Sequence, residues 1–452
     1  LTLDFRGVRS QGEISFKLGG AEMIKVIPIT TANLTDHQIG SDDILIAPDS
    51  TNILYGDAGG SLLDHSTGGN DNLTIHGSGS FYGDAVRNIA DHAIGGDDFL
   101  FVQITGSSST TTNLYGDAGG SLSDSAKGGN DVFSVAPSPT NITVAMYGDA
   151  GKDMSGHAAG GNDTFQLSAF QSTFTIYGDA GGDMKSHAVG GDDTVTDGNS
   201  EGFVTFYGDA GKDMSGHAHG GNDIINTQLE DSVTFYGDAG GDLGDHAVGG
   251  NDTMNVASVG AVLAYGDANS MSGNARGGND SLLVRAQQNA NDMIVGDAQI
   301  MSGHAHGGDD VLNVSAVRHT DGPITLIGDA VKMSGNSHGG NDTLISGNGN
   351  EDMWGDAQVM VGHAEGGNDT FIFKPSNGSD KIEDFGQGAC GVGSNWGVDH
   401  IDVSALGIKD FSQLNIISAF DPVTHDTTIV FGTGGVVVHS QHALLAHDFL
   451  FA

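Results

Sequence analysis

The chain has 452 residues, 74 of them glycine, and sets 16 Lys and Arg against 58 Asp and Glu for a formal charge of −42. Such a polyanion offers no basic surface to nucleic acid and is repelled by anionic lipid. No apolar run approaches the length of a membrane-spanning helix, and the lone cysteine, Cys390, excludes an internal disulfide framework. Only seven of the acids are glutamate. Short Asp side chains suit turns and oxygen-rich cation sites, so the bias points away from a merely solvated acidic surface.

In chain order, residues 1–50 form an N-terminal segment. The stretches from Glu13 to Leu18 and from Glu22 to Ile29 are strand-like. GSDD at Gly40 to Asp43, with His37 and Leu34 upstream, reads as a degenerate first coil. The chain starts at Leu1 without a leader-like segment, as expected of a processed product or a piece of a longer chain.

Residues 51–373 are repeats. Gly-Asp-Ala recurs eleven times, with its Asp at Asp57, Asp84, Asp117, Asp149, Asp179, Asp209, Asp238, Asp267, Asp297, Asp329 and Asp356. Each copy is followed by GG-[ND]-D ending at Asp71, Asp98, Asp131, Asp163, Asp193, Asp223, Asp252, Asp280, Asp310, Asp342 or Asp369. The offset between the two aspartates is 14 in the first seven copies and 13 in the last four, whereas the return leg varies from 13 to 19. A fixed leg holds a geometry; an elastic leg loops out at a surface corner.

Tyrosine precedes the first eight Gly-Asp-Ala motifs, and strand-like alternation flanks both motifs, as in Thr173 to Tyr177 and Asp163 to Leu167. Six residues before each second Asp stands His (His65, His157), or Ser125, Asn274 or Asn336, and three residues earlier an apolar residue such as Leu62 or Met154. The His column is expected to be a hydrogen-bond ladder closing the loop, with a transition-metal site as the weaker reading, and the Met column to be core. Each repeat therefore reads as strand, Asp/Gly loop, strand, variable turn.

Stacking such units about 4.8 Å apart stacks their carboxylates as well. Like charges that close demand counter-charge, and few basic residues lie in the loops. Oxygen-only ligands, carboxylates and glycine carbonyls, suit Ca²⁺ better than Mg²⁺. The charge of −42 would take on the order of one to two such ions per repeat.

GGNDTF at Gly160 to Phe165 and GGNDTL at Gly339 to Leu344 resemble the second half of the RTX (repeats-in-toxin) nonapeptide GGxGxDxUx, and YGDA resembles its opening with Asp for the second glycine. The resemblance implies Ca²⁺ held between coils by Asp71 through Asp369 of the second motif, with Asp43 in the degenerate coil. The Gly-Asp-Ala aspartates have no family counterpart and are expected to be extra ligands, with a turn role as the alternative. Residues 374–452, with Phe371 to Phe373, Ser379-Asp380-Lys381-Ile382-Glu383-Asp384-Phe385, Asp399 to Leu406 and the terminal His447 to Ala452, resemble the closing module and type I secretion signal of that family. Asp380 is carried over with it as a metal residue. The implied setting is extracellular or cell-surface, after export from a Gram-negative bacterium.

The expected fold is all-β: a right-handed parallel β-solenoid, an RTX-like β-roll with enlarged loops, of about 12 coils, with a C-terminal β-rich cap. The expected function is a calcium-stabilised structural protein of a surface layer, filament, biofilm matrix or adhesin, forming homo-oligomers or fibres and meeting cell-surface or matrix polysaccharide. The alternative is the repeat and secretion portion of an exported hydrolase. Residues 1–45 are too few for a catalytic domain, and no GxSxG, HExxH or phosphate loop appears, so no enzyme activity is expected. Cys390 lies in a Gly-rich linker and reads as incidental, with an intermolecular disulfide as the alternative.

Overall fold

The structure is a computed structural model. It describes residues 14–17, 23–26 and 32–452 except 50, 105–109, 138–140, 169–170, 198–201, 230–231, 259, 287–291, 316–322 and 388–395; Cys390 and its linker lie outside the described residues. Two compact units emerge, Leu1–Gly221 and Asn222–Ala452. Each is a parallel β-solenoid, and together they hold about 11 turns, close to the coil count expected from the motifs.

In the first unit the strand after each GG-[ND]-D motif pairs in parallel with its counterpart one coil on. The series runs Ile44–Ala47, Asn72–Ile75, Phe99–Val102, Val132–Val135, Thr164–Leu167 and Thr194–Asp197. A second sheet stacks the strands that lead into Gly-Asp-Ala: Ile53–Tyr55, Gly79–Tyr82, Thr110–Tyr115, Ile142–Tyr147, Ser172–Tyr177 and Gly202–Tyr207. Period-two alternation decides the faces. Phe165 and Leu167 are buried while Thr164 and Gln166 are not. Like positions repeat down the stack on both faces: inward, Phe133 lies on Phe165 at 4.8 Å, and on the outer face the half-buried Tyr115 and Tyr147 rings stack at 4.7 Å. Met154, Met184 and Met214 are fully buried, in agreement with the core reading of that column. Burying one such side chain is worth about 1.5–3 kcal/mol.

The degenerate first coil exists. Leu34 bridges to Leu62 and Ile39 to Thr67, and the Asp43 N–H donates to Asp71 Oδ1 at 2.6 Å. Ahead of it, Ile14–Lys17 and Met23–Val26 form an antiparallel hairpin within the two stretches expected to be strands.

The second unit repeats the scheme and adds a third sheet. Ala239–Leu243, Ala268–Met271, Ala298–Met301, Ala330–Met333 and Ala357–Met360 pair in parallel directly after Gly-Asp-Ala. The change in motif spacing is the cause. Copies with the 13-residue offset run straight from Ala to Met, whereas the last 14-residue copy carries an irregularity between Ala239 and Asp242. In the first unit the same segment is reduced to isolated bridges, such as Ala118 to Ala150 and Leu122 to Met154. The extra residue is thus a bulge that interrupts a strand.

The C-terminal end is β-rich, as expected. Ser379–Phe385 pairs in parallel with Gly434–Ser440, which forms an antiparallel hairpin with Asp426–Phe431. Phe449–Leu450, from the last residues of the chain, adds in parallel to His400–Asp402. Among the described residues no helix is long and apolar enough to cross a membrane.

Candidate metal centre

The fixed leg between the two aspartates is a glycine loop with a left-handed residue in every turn. That residue is Asp64, Asp91, Asp124 or Ser186 in some coils (φ 59, 63, 62 and 67°) and Gly156 or Gly216 in others (φ 78 and 76°). Small polar residues and glycine are those that tolerate this conformation. The next residue is the His column. Its side chains are exposed and stack on one another, with His37 and His65 at 4.8 Å. Within the column Asn274 Nδ2 and His246 Nε2 lie within hydrogen-bond distance, at 3.5 Å. The turn is held by main chain, as where the His92 N–H donates to Asp64 O at 2.8 Å.

Two ladders of buried aspartate line the loop. In the first, made of the GG-[ND]-D aspartates, Oδ1 accepts the main-chain N–H of the equivalent aspartate one coil earlier. The distances are 2.6 Å for Asp71 to Asp98, 2.7 Å for Asp98 to Asp131 and 2.6 Å for Asp131 to Asp163. The second unit continues the pattern from Asp223 through Asp252, Asp280, Asp310, Asp342 and Asp369 to Asp399. The other oxygen, Oδ2, of Asp98, Asp131, Asp163, Asp280, Asp310, Asp342 and Asp369 is buried with no hydrogen-bond partner. It points at a glycine that cannot be anything else. A Cβ on Gly116 would collide with Asp131 Oδ2 and with the carbonyl of Gly148; on Gly296 it would collide with Asp310 Oδ2 and the carbonyl of Gly328. A carboxylate oxygen and a carbonyl oxygen, both acceptors, thus share one cradle.

The Gly-Asp-Ala aspartates form the second ladder. One oxygen of each accepts the N–H of the second glycine of GG-[ND]-D in its own coil: Gly96 to Asp84 at 2.8 Å, Gly129 to Asp117 at 2.9 Å, Gly278 to Asp267 at 2.7 Å. This gives the Gly-Asp-Ala aspartates a turn-closing role. Their remaining oxygens, in Asp84, Asp117, Asp267, Asp297, Asp329 and Asp356, have no hydrogen-bond donor. Successive carboxylates converge, since a Cβ on Gly160 would meet both Asp149 and Asp179.

Electrostatics follow from burial. Asp98 and Asp131 are pushed well above the ordinary carboxylate range by desolvation, with neighbouring aspartates adding to the shift. Asp310 is raised to about 8, again by burial first. Neighbouring buried carboxylates cannot all carry charge without counter-charge, so each site holds either a proton or a cation. The donor set suits a hard cation: it is oxygen throughout, with carbonyls beside carboxylates. Among the described residues no three His, Cys, Asp or Glu side chains meet at one point, so an ion in the loops would draw part of its shell from glycine carbonyls.

The structure places most of the aspartates singled out from sequence in these ladders. Asp43 and Asp57, in the first coil, are only partly buried. Asp380 joins neither ladder; its carboxylate lies beside Glu351 in the return leg. Two closing members escaped the sequence reading. Asp399 accepts the Asp369 N–H at 2.9 Å, and Asp384 accepts those of Gly355, Asp356 and Ala357 at 2.8, 3.1 and 3.2 Å. The signal was present: Gly397-Val398-Asp399 stands 30 residues after Asp369, one coil on. No known family model, curated protein or solved structure matches the chain.

Proposed function

We propose that the protein is a secreted, calcium-stabilised structural protein of the cell surface or extracellular matrix, folding as it meets Ca²⁺ outside the cell. The observation that carries this reading is the row of buried Asp Oδ2 atoms lacking a donor, set against a glycine carbonyl at Asp98, Asp131, Asp163, Asp280, Asp310 and Asp342. Asp98, Asp131, Asp163, Asp280, Asp310 and Asp342, with the carbonyls of the following Gly-Asp-Ala glycines, would hold Ca²⁺, with Asp369 at the closing coil, and the Gly-Asp-Ala aspartates would fix the loops around it. The ion supplies the positive charge that lets those carboxylates stay ionised while buried. The RTX-like motifs and the C-terminal segment support export through a type I system. An array of coils that spends its acidic residues on its own loops fits a scaffold, in homo-oligomers or fibres or against matrix polysaccharide, better than a catalyst.

The test is a calcium titration of the chelated full chain, followed by far-UV circular dichroism and by the bound-calcium count after equilibrium dialysis. We expect β-structure to appear with calcium and on the order of one to two ions per repeat, since a ligand that binds only the folded state stabilises it by mass action. A β signal insensitive to calcium in a protein that retains none would reject the proposal.

A further inference from the structure

One cluster of buried acids lies outside the loops. Glu351 begins the strand Glu351–Trp354, and register sets it beside Ile324 of the preceding coil. In the following coil Asp352 pairs with Lys381, so Glu351 stands level with Asp380, which itself pairs with Val436. Ile324 and Val436 are core residues, 0% and 1% exposed. Two adjacent positions of an apolar column are therefore carboxylates, and they too are buried, at 0% for Glu351 and 2% for Asp380.

The donors that reach them are neutral. Ser346 Oγ donates to Asp380 Oδ2 at 2.9 Å and lies 3.3 Å from Glu351 Oε2, the alternative acceptor for its one proton. The Gly347 N–H donates to Glu351 Oε2 at 3.2 Å, the Glu351 N–H to Asp380 Oδ1 at 3.1 Å, and Asn377 Nδ2 to Asp380 Oδ2 at 3.3 Å. Two oxygens in this cluster have no partner, Glu351 Oε1 and Asn377 Oδ1, and Asn377 is 4% exposed. An isolated acidic pair in a core would be resolved by apolar substitution or by a basic partner. Here the surroundings are instead a hydroxyl, a side-chain amide and the main chain at Gly347, with two acceptor oxygens left over.

We infer that Glu351, Asp380, Asn377 and Ser346 form a separate site for one hard divalent cation, at the corner between strands Thr343–Ile345 and Glu351–Trp354. The ion would join the last repeat coil to Ser379–Phe385, the strand on which the C-terminal hairpin is built. The site owes nothing to the loop motifs: Ser346 and Glu351 lie in the variable return leg, Asn377 and Asp380 beyond the last repeat, and none belongs to either motif. It stands or falls independently of the loop reading.

Crystals of the full chain grown in calcium chloride, measured at long wavelength, give the test. An anomalous peak is expected within about 2.3–2.6 Å of Glu351 Oε1 and Asn377 Oδ1. Glu351→Gln should remove that peak and leave any loop peaks. Loop peaks with none at Glu351 would overturn this inference, making the cluster a proton-sharing acid pair, and leave the calcium ladder intact. A peak at Glu351 with none in the loops would do the reverse, and no peak at either would overturn both. Asn377→Asp supplies a readout without crystals. A third carboxylate should lower the thermal midpoint when calcium is just sufficient for folding and preserve or raise it in millimolar calcium; a fall of the same size in both would reject the cation site.

Discussion

The Asp98 N–H donates to Asp131 Oδ1 at 2.7 Å, while the other oxygen of the same carboxylate, Asp131 Oδ2, is buried with no donor at all. One side chain thus has two tasks. Half of it closes the coil, and the other half faces the Gly148 carbonyl across the Gly116 cradle. The backbone half can be met by any acceptor of the right length; only the second half needs charge.

Asp131→Asn separates the two. The amide oxygen keeps the acceptor for Asp98, and the charge is lost. In chelator the variant should be more stable than the parent, by about 1–3 kcal/mol, because an unsatisfied buried group is removed. In calcium it should bind fewer ions and need more calcium to fold. The β-structure retained in chelator and thermal unfolding in calcium, with the bound-calcium count, check it. Equal shifts in the two media would mean that the charge serves no ion.

Gly116→Ala attacks the same cradle from the other wall. Its Cβ would occupy the space between Asp131 Oδ2 and the Gly148 carbonyl, both held by coil-to-coil pairing. Overpacking of this kind costs about 1–3 kcal/mol, and the ion-accessible space would be gone. Loss of stability without loss of bound calcium would place the ion elsewhere.

The His column makes a contrast. His157 is exposed and meets His187 ring to ring at 4.9 Å, tilted by 37°. His157→Asn should change stability by no more than about 0.5 kcal/mol and leave the calcium titration where it was. Phe165→Ala, in the fully buried column beneath, should cost about 3–5 kcal/mol. Urea unfolding of the two variants in calcium measures the difference.

The solenoid was legible because two fixed motifs and period-two strands repeat without exception, and each coil repeats the argument for the next. What escaped was whatever the repeat does not contain. The move from a 14- to a 13-residue offset was visible, but its meaning, a bulge at Ala239 to Asp242 against a straight strand at Ala268–Met271, depends on pairing between coils. Glu351 belongs to neither motif, and its burial comes from register with Ile324 and Asp380 rather than from its neighbours in sequence. The His ladder was expected to use side chains; the main chain of the left-handed turn already satisfies the loop, which leaves the rings free to stack.

The pH response should reverse with calcium. Without an ion the ladder carboxylates titrate above their unfolded value because burial disfavours the charged form, with Asp310 raised to about 8 and Asp384 to about 7. The folded state then binds more protons than the unfolded one, so stability is greatest below the unfolded pKa of about 3.9 and is lost as pH rises toward the folded values. Acidifying the chelated chain from pH 8 to 4 should therefore raise its β-structure, aided by the loss of net negative charge. With calcium bound the ionised form is favoured, the folded pKa values fall below the unfolded one, and acid should release the ion and weaken the fold. The far-UV β signal across that range, in chelator and in millimolar calcium, should slope in opposite directions. Parallel slopes would mean that protons and calcium do not compete for Asp310 and its neighbours.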